Sequence, residues 1–171
     1  MTQIMILAGC VYLSMLAATV YFTKASPRRV VGALAGGGAV AVLGAGVEAF
    51  AHAREWWRYT SGDTPIGPVA MYPVIVLVFA FLALIGWIVT RRFGWRGMAV
   101  FLGVLAVVGA LRDYFIAGRL LGLIVFAPGA VVAIIDGFLW AGLTALAISV
   151  MRLVSGPAQV DRPASQPGDS V

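Results

Sequence analysis

MYPVIVLVFAFLALIGWIVTRR, residues 71–92, runs for twenty positions without a charged side chain and then meets two arginines. At about 1.5 Å per helical residue, such a run covers roughly 30 Å, the thickness of a bilayer's hydrocarbon core. The stretch reads as a membrane span. Arg91 and Arg92, with Arg96 just beyond, mark its far end as cytoplasmic, because positive charge is retained on that side.

The rest of the chain supports the same class. Of 171 residues, 61% are hydrophobic and 11% charged, with a mean hydropathy of +0.98. Soluble domains carry roughly 25% charged residues, so the composition is that of an integral membrane protein. The net charge of +5 does not point to nucleic acid, since the basic residues sit in short clusters between apolar runs rather than along one helix face. Cys10 is the only cysteine, which excludes an intramolecular disulfide and a thiolate metal cluster.

Toward the amino terminus, Arg54 to Ala70 is a hydrophilic connection of nearly balanced charge, broken by Pro65, Gly67 and Pro68, and is placed outside. Val30 to Ala53 forms the second span, rich in small residues (Gly32, Gly36, Gly37, Gly44) that allow close backbone approach. Lys24, Arg28 and Arg29 around Pro27 form a cytoplasmic loop, and Ile4 to Phe22 is the first span. That run lacks the basic n-region of a removable signal peptide. Leu7-Ala8-Gly9-Cys10 has the order of a lipoprotein box but too few residues ahead of it.

Toward the carboxyl terminus, Met98 to about Ala117 is the fourth span, with Arg112 and Asp113 near its outer end and Arg119 in the turn that follows. Leu120 to Met151 is too long for one crossing. Pro128-Gly129 divides it into an interfacial or re-entrant piece and a fifth span, Ala130 to Met151, which carries Asp136 and ends at Arg152. From Ser155 the composition is that of a disordered cytoplasmic tail. The expected fold is an all-α polytopic membrane bundle of five transmembrane helices, amino terminus outside and carboxyl terminus cytoplasmic. Residues 1–154 form the bundle and 155–171 the tail, in a bacterial plasma membrane.

In this topology Glu48, Asp113 and Asp136 fall at a similar depth near the outer side. A charge at the centre of a span costs roughly 2.5–3.5 kcal/mol on insertion scales, so each is expected to face the bundle interior, a partner or a watery pocket. Glu48 and His52 share a helix face at i,i+4, as do Asp136 and Trp140. Carboxyls crowded in a poorly solvated site cannot all ionise together, which suits general acid–base work. Trp56, Trp57, Tyr59 and Tyr72 would offer aromatic faces to an apolar ligand or a developing carbocation.

Plainer readings stand beside these. The four aromatics suit an interfacial belt, Asp113 has Arg112 and Arg119 as neighbours for pairing, and His52 near a helix end has access to water. Glu48 and Asp136 suit a structural hydrogen-bonded pair. A metal held by Glu48, His52 and an aspartate would have only one histidine and no thiolate to work with.

Trp57-Arg58-Tyr59-Thr60-Ser61-Gly62-Asp63, a W-x-Y-x-x-G-D pattern after an acid in the preceding span, resembles the emopamil-binding, or EXPERA-type, sterol isomerase family. Asp113, and Trp140 after Asp136, lie where that family also has a polar residue and a tryptophan. The resemblance implies a five-span bundle that shuffles protons at a carbon–carbon double bond, with Glu48, Trp57, Tyr59, Asp63, Asp113 and Trp140 carried over. Position 44, a histidine in the family, is Gly44 here, and the family's acid in the third span has no counterpart.

The expected function is therefore an acid–base isomerase or cyclase of a lipophilic alkene such as a sterol, carotenoid or other terpenoid. Glu48 would be the principal proton donor or acceptor, Asp136 and Asp113 its relay or counter-charge, and His52 a route to solvent. Trp56, Trp57, Tyr59 and Trp140 would form the binding walls. No metal, nucleotide or other cofactor is expected, and membrane lipids and the lipophilic substrate are the expected partners. The alternative is a non-enzymatic lipid-binding or scaffolding subunit, joined to itself or to a larger complex through the glycine-rich second helix.

Overall fold

The computed structural model describes residues 2–60 and 67–156. Asp63 of the sequence motif and the tail beyond residue 156 lie outside the described residues. Four helices carry the fold: α1 (Thr2–Thr23), α2 (Pro27–Ala53), α3 (Met71–Arg112) and α4 (Ala130–Ser155). All four are long and apolar enough to cross a membrane, which makes this an integral membrane protein. Large apolar side chains line their outer faces, among them Phe22, Val42, Phe138 and Leu153. That surface suits lipid rather than water.

The third and fourth spans of the sequence reading correspond to the two arms of α3, joined at a sharp bend. α3 runs unbroken through Arg91 and Arg92, where a loop was expected, and departs from helical geometry only at Gly94, whose φ is +65°. Glycine alone adopts that conformation cheaply. The helix folds back on itself there: a Cβ on Gly86 would lie 3.2 Å from the Phe101 ring, although fifteen positions of straight helix would separate the two by about 22 Å. Arg91, Arg92 and Arg96 thus crowd the bend itself.

α2, α3 and α4 pack around a core that includes Ala33, Val40, Ala83, Leu84, Ala147 and Met151, and α1 lies mainly against α3. Glycines set the spacing. A Cβ on Gly36 would overlap the Ala147 carbonyl of α4, one on Gly37 would overlap the Val76 carbonyl of α3, and one on Gly32 would press the Met151 carbonyl at 3.0 Å. The small-residue face of α2 is thereby occupied within the chain. A partner approaching α2 would meet Val31, Val42 and Leu43, which are exposed.

The expected all-α class needs one amendment. The segment after α2 and the segment before α4 form two short antiparallel strands, β1 (Trp57–Tyr59) and β2 (Ile124–Phe126), in the register Trp57 to Phe126 and Tyr59 to Ile124. β2 occupies the piece expected to lie at the interface or re-enter. In a low-dielectric setting backbone amides must pair somewhere, and here the two loops pair with each other. Between α3 and β2 the chain runs as π-helix from Asp113 to Leu120.

α2 ends in a Schellman turn. The Trp56 amide donates to the Ala51 carbonyl and the Glu55 amide to the His52 carbonyl, each at 3.0 Å, with Glu55 in the left-handed region at φ +56°. This cap normally uses glycine. Replacing Glu55 with Gly is expected to raise stability by about 0.5–1 kcal/mol by relieving the backbone cost, measured as the unfolding midpoint in detergent. Gly36→Ala is expected to lower stability by about 1–3 kcal/mol through overpacking. Gly38→Ala, with nothing within 4 Å of the new Cβ, should leave stability unchanged or raise it by up to about 1 kcal/mol.

Candidate functional site

Glu48 sits on the last turns of α2, and the Schellman turn folds the following residues back beneath it. Trp57 donates its indole N–H to Glu48 Oε2 at 2.7 Å, and Tyr59 donates its hydroxyl to Oε1 at 2.8 Å. Alternation along β1 places residues 57 and 59 on one side of the strand, so the W-x-Y spacing delivers both donors to one carboxyl. The strand is fixed from behind by Trp57 against Phe126, with Ala51 and Val132 completing a small apolar cluster.

Asp113 is held in a comparable way. Trp140 of α4 donates its indole N–H to Asp113 Oδ2 at 2.8 Å, and the Arg112 guanidinium lies 3.1 Å from Oδ1. Arg112 also rests against the Trp140 ring, 5.2 Å from its centroid, and Phe79 stacks on the same ring at 5.4 Å. Gly109 makes the room: a Cβ there would overlap the Trp140 ring.

Asp136 differs. It is 7% exposed, and its Oδ2 has no hydrogen-bond partner. It lies within electrostatic reach of Asp113, Arg112 and Glu48. Leaving a buried charge-capable oxygen without a partner costs several kcal/mol if it is ionised and dry, so this atom needs a proton, water or ligand.

The three carboxyls line one cavity of about 200 Å³ together with Trp57, Tyr59, Trp140 and Arg112. Its apolar walls come from α1 (Ile4, Met5), α2 (Val40) and the beginning of α3 (Val74, Val78), and Gly44 of α2 faces it as well. Both ends of α3 reach this cavity because of the bend at Gly94. Among the described residues, no group of three or more histidine, cysteine, aspartate or glutamate side chains could hold a metal ion. The acids therefore surround a shared space without closing on one point.

Two expected site residues lie elsewhere. His52 is half-buried near the end of α2 and is not on the cavity wall. Trp56 packs edge-on against Phe50 at 5.3 Å, because successive residues of a strand point to opposite sides. Arg112 was weighed in the sequence only as an ion-pair neighbour. Its position beside Asp113 was the available signal, and the structure places it on the cavity wall. Comparison with protein-family models, with curated proteins and with solved structures finds no match.

Tyr59 lies outside the spans, and its hydroxyl is pushed well above the ordinary tyrosine range, chiefly by burial and then by the Glu48 charge. An unfolded tyrosine ionises near about pH 10, so the stability contributed by the neutral hydroxyl is complete below that pH and is lost as pH rises past it. Tyr59→Phe is accordingly expected to cost about 1.5–3 kcal/mol near neutrality, the worth of a hydrogen bond to a charged group. The gap between parent and variant should shrink on titration from about pH 9 to about pH 11, measured by denaturant unfolding in detergent.

Proposed function

We propose that the cavity is the acid–base site of a membrane enzyme that moves a proton on a lipophilic alkene, a sterol, a carotenoid or another terpenoid. The observation that carries the reading is the contrast among the carboxyls. Glu48 and Asp113 have their oxygens engaged by indole, phenol and guanidinium donors, whereas Asp136, which lines the same cavity, has a buried oxygen with no protein partner.

A proton passed from Asp136 to one carbon of the double bond draws on the π electrons to form a C–H bond and leaves a cation on the adjacent carbon. The rings of Trp57, Tyr59 and Trp140 offer electron-rich faces to that cation. Glu48 and Asp113 supply fixed negative charge close to it, and preorganised charge of this kind is often the largest catalytic contribution. Loss of a proton from the carbon on the other side of the cation, back to the Asp136 carboxylate, re-forms the double bond one position along. A second double bond attacking the cation would close a ring instead, leaving a new cation that loses an adjacent proton to the Asp136 carboxylate. Both routes balance in atoms and charge, with Asp136 regenerated.

Size narrows the ligand. Sites that enclose a drug-sized molecule run to roughly 300–1,000 Å³, and this cavity has about 200 Å³. It suits one end of a long isoprenoid, the remainder staying among the lipid chains beside α1. Counting the two arms of α3 separately, residues 71–93 and 95–112, the reading has five crossings with the amino terminus outside, in a bacterial plasma membrane. The likeness to EXPERA-type isomerases belongs to the same proposal and draws support from Trp57 and Tyr59 both bonding Glu48.

Proteoliposomes holding the full-length chain, supplied with a carotene, an acyclic triterpene or a Δ8 sterol in heavy water, test the reading by mass spectrometry. Deuterium is expected to enter at least one of these alkenes or its isomer, at a rate at least about 100-fold lower for Asp136→Asn, the usual scale for losing a general acid. The proposal fails if no alkene gains deuterium above protein-free liposomes, or if Asp136→Asn matches the parent.

A further inference from the structure

The opposite end of the bundle carries a second recess, lined by Phe22 and Thr23 of α1 and by Trp87, Ile88, Arg91 and Arg92 of α3. Its polar groups are unusual in kind. Trp87 is 3% exposed, and its indole N–H, which can only donate, has no hydrogen-bond partner. The Thr23 hydroxyl is also buried without a partner, although Thr19 and Ser14 on the same helix each donate to the carbonyl four residues back. Two residues with orphaned donors therefore line one recess with two arginines, and among the described residues no carboxylate lines it.

Buried polar groups are rarely left unpaired, so this set defines its missing partner. The ligand must supply several acceptor oxygens and negative charge. The Arg91 guanidinium lies 5.8 Å from the Trp87 ring centroid, so positive charge adjoins the indole. The acidic residues among those described are remote from it: Glu48, Asp113 and Asp136 line the cavity at the other end, and Glu55 follows α2 beside that same cavity. Phe22, 80% exposed, and Ile88 give the recess an apolar flank.

We propose that this recess binds a phosphate-bearing anion, its oxygens taking the Trp87 and Thr23 donors while Arg91 and Arg92 neutralise its charge. The apolar flank suits the phosphate of a lipid headgroup whose chains lie along α1 and α3. A soluble phosphate has the same chemistry. Phosphate oxygens accept in two or more directions, and arginine matches them with paired donors. The site is separate from the acid–base cavity and does not depend on its assignment.

The full-length protein in neutral detergent, titrated with phosphatidylglycerol and with phosphatidylcholine and followed by native mass spectrometry, tests the proposal. Inorganic phosphate added to the same sample forms the second arm. Phosphatidylglycerol is expected to bind about tenfold or more tightly than phosphatidylcholine, as two charge-assisted contacts would give. The exposed double variant Arg91→Gln/Arg92→Gln should bring the two lipids within about twofold. Trp87→Phe keeps the ring and removes the N–H, and should weaken phosphatidylglycerol binding about fivefold with an unchanged unfolding midpoint. Millimolar phosphate that displaces the lipid would identify a soluble anion as the ligand, and failure to displace it a headgroup; either supports a phosphate site. Equal binding of the two lipids with no effect of phosphate overturns it, as does a preference that survives the double arginine variant.

Discussion

A carboxyl group set inside an apolar helix has to be met by donors, and the residues that meet Glu48 lie past the end of its own helix. Trp57 and Tyr59 reach it only because the chain turns sharply at Glu55 and runs back as a strand. The turn is a Schellman cap built on a glutamate in a left-handed conformation, a choice that costs about 1–2 kcal/mol relative to a right-handed one. That the chain accepts this cost indicates that the position of β1, rather than an easy helix end, is what the local structure secures.

Placing β1 creates a second requirement. A strand beside lipid exposes a row of amides and carbonyls, and each unsatisfied group there costs several kcal/mol. β2 answers it, and the ladder continues on both sides, with the Ala127 amide donating to the Trp56 carbonyl and the Thr60 amide to the Leu123 carbonyl. β2 in turn must be delivered by the π-helical segment that begins at Asp113. The two acids Glu48 and Asp113 are thus positioned by the two strands of one small sheet, and Gly94 lets α3 return in time to supply the second of them.

The spans were legible because apolar runs of bilayer length have few other uses. α1, α2 and the start of α4 fall within a few residues of the expected Ile4, Val30 and Ala130. The bend of α3 at Gly94 falls inside the expected connection between Thr90 and Met98, although Arg91 and Arg92 stay helical, since long basic side chains can extend from a helix into the interface. The sheet was not legible. Trp57 and Phe126 are distant in sequence, and three-residue strands leave no periodicity to detect; W-x-Y and I-V-F, each flanked by turn residues, were the only local trace. Glu48, Asp113 and Asp136 stood out as charges in apolar runs, but nothing in the sequence could tell which would be partnered. His52 and Trp56 stand off the cavity wall, and neither an i,i+4 spacing nor adjacency in sequence could decide that.

The partnering sorts the three acids physically. Glu48 accepts two donors from rigid aromatic rings, and Asp113 has an indole and an adjacent guanidinium, so both are fixed in orientation and compensated where they stand. Asp136 is buried without the compensation. An ion in that position would be held at large cost, whereas a group that exchanges its proton with whatever enters the cavity escapes it. The asymmetry also explains the aromatic content of the site without appeal to an interfacial belt: Trp57 and Trp140 are turned inward, each with its N–H spent on a carboxylate and its ring left to the cavity. A belt tryptophan would direct that N–H to water or headgroups, and the geometry here removes it from both.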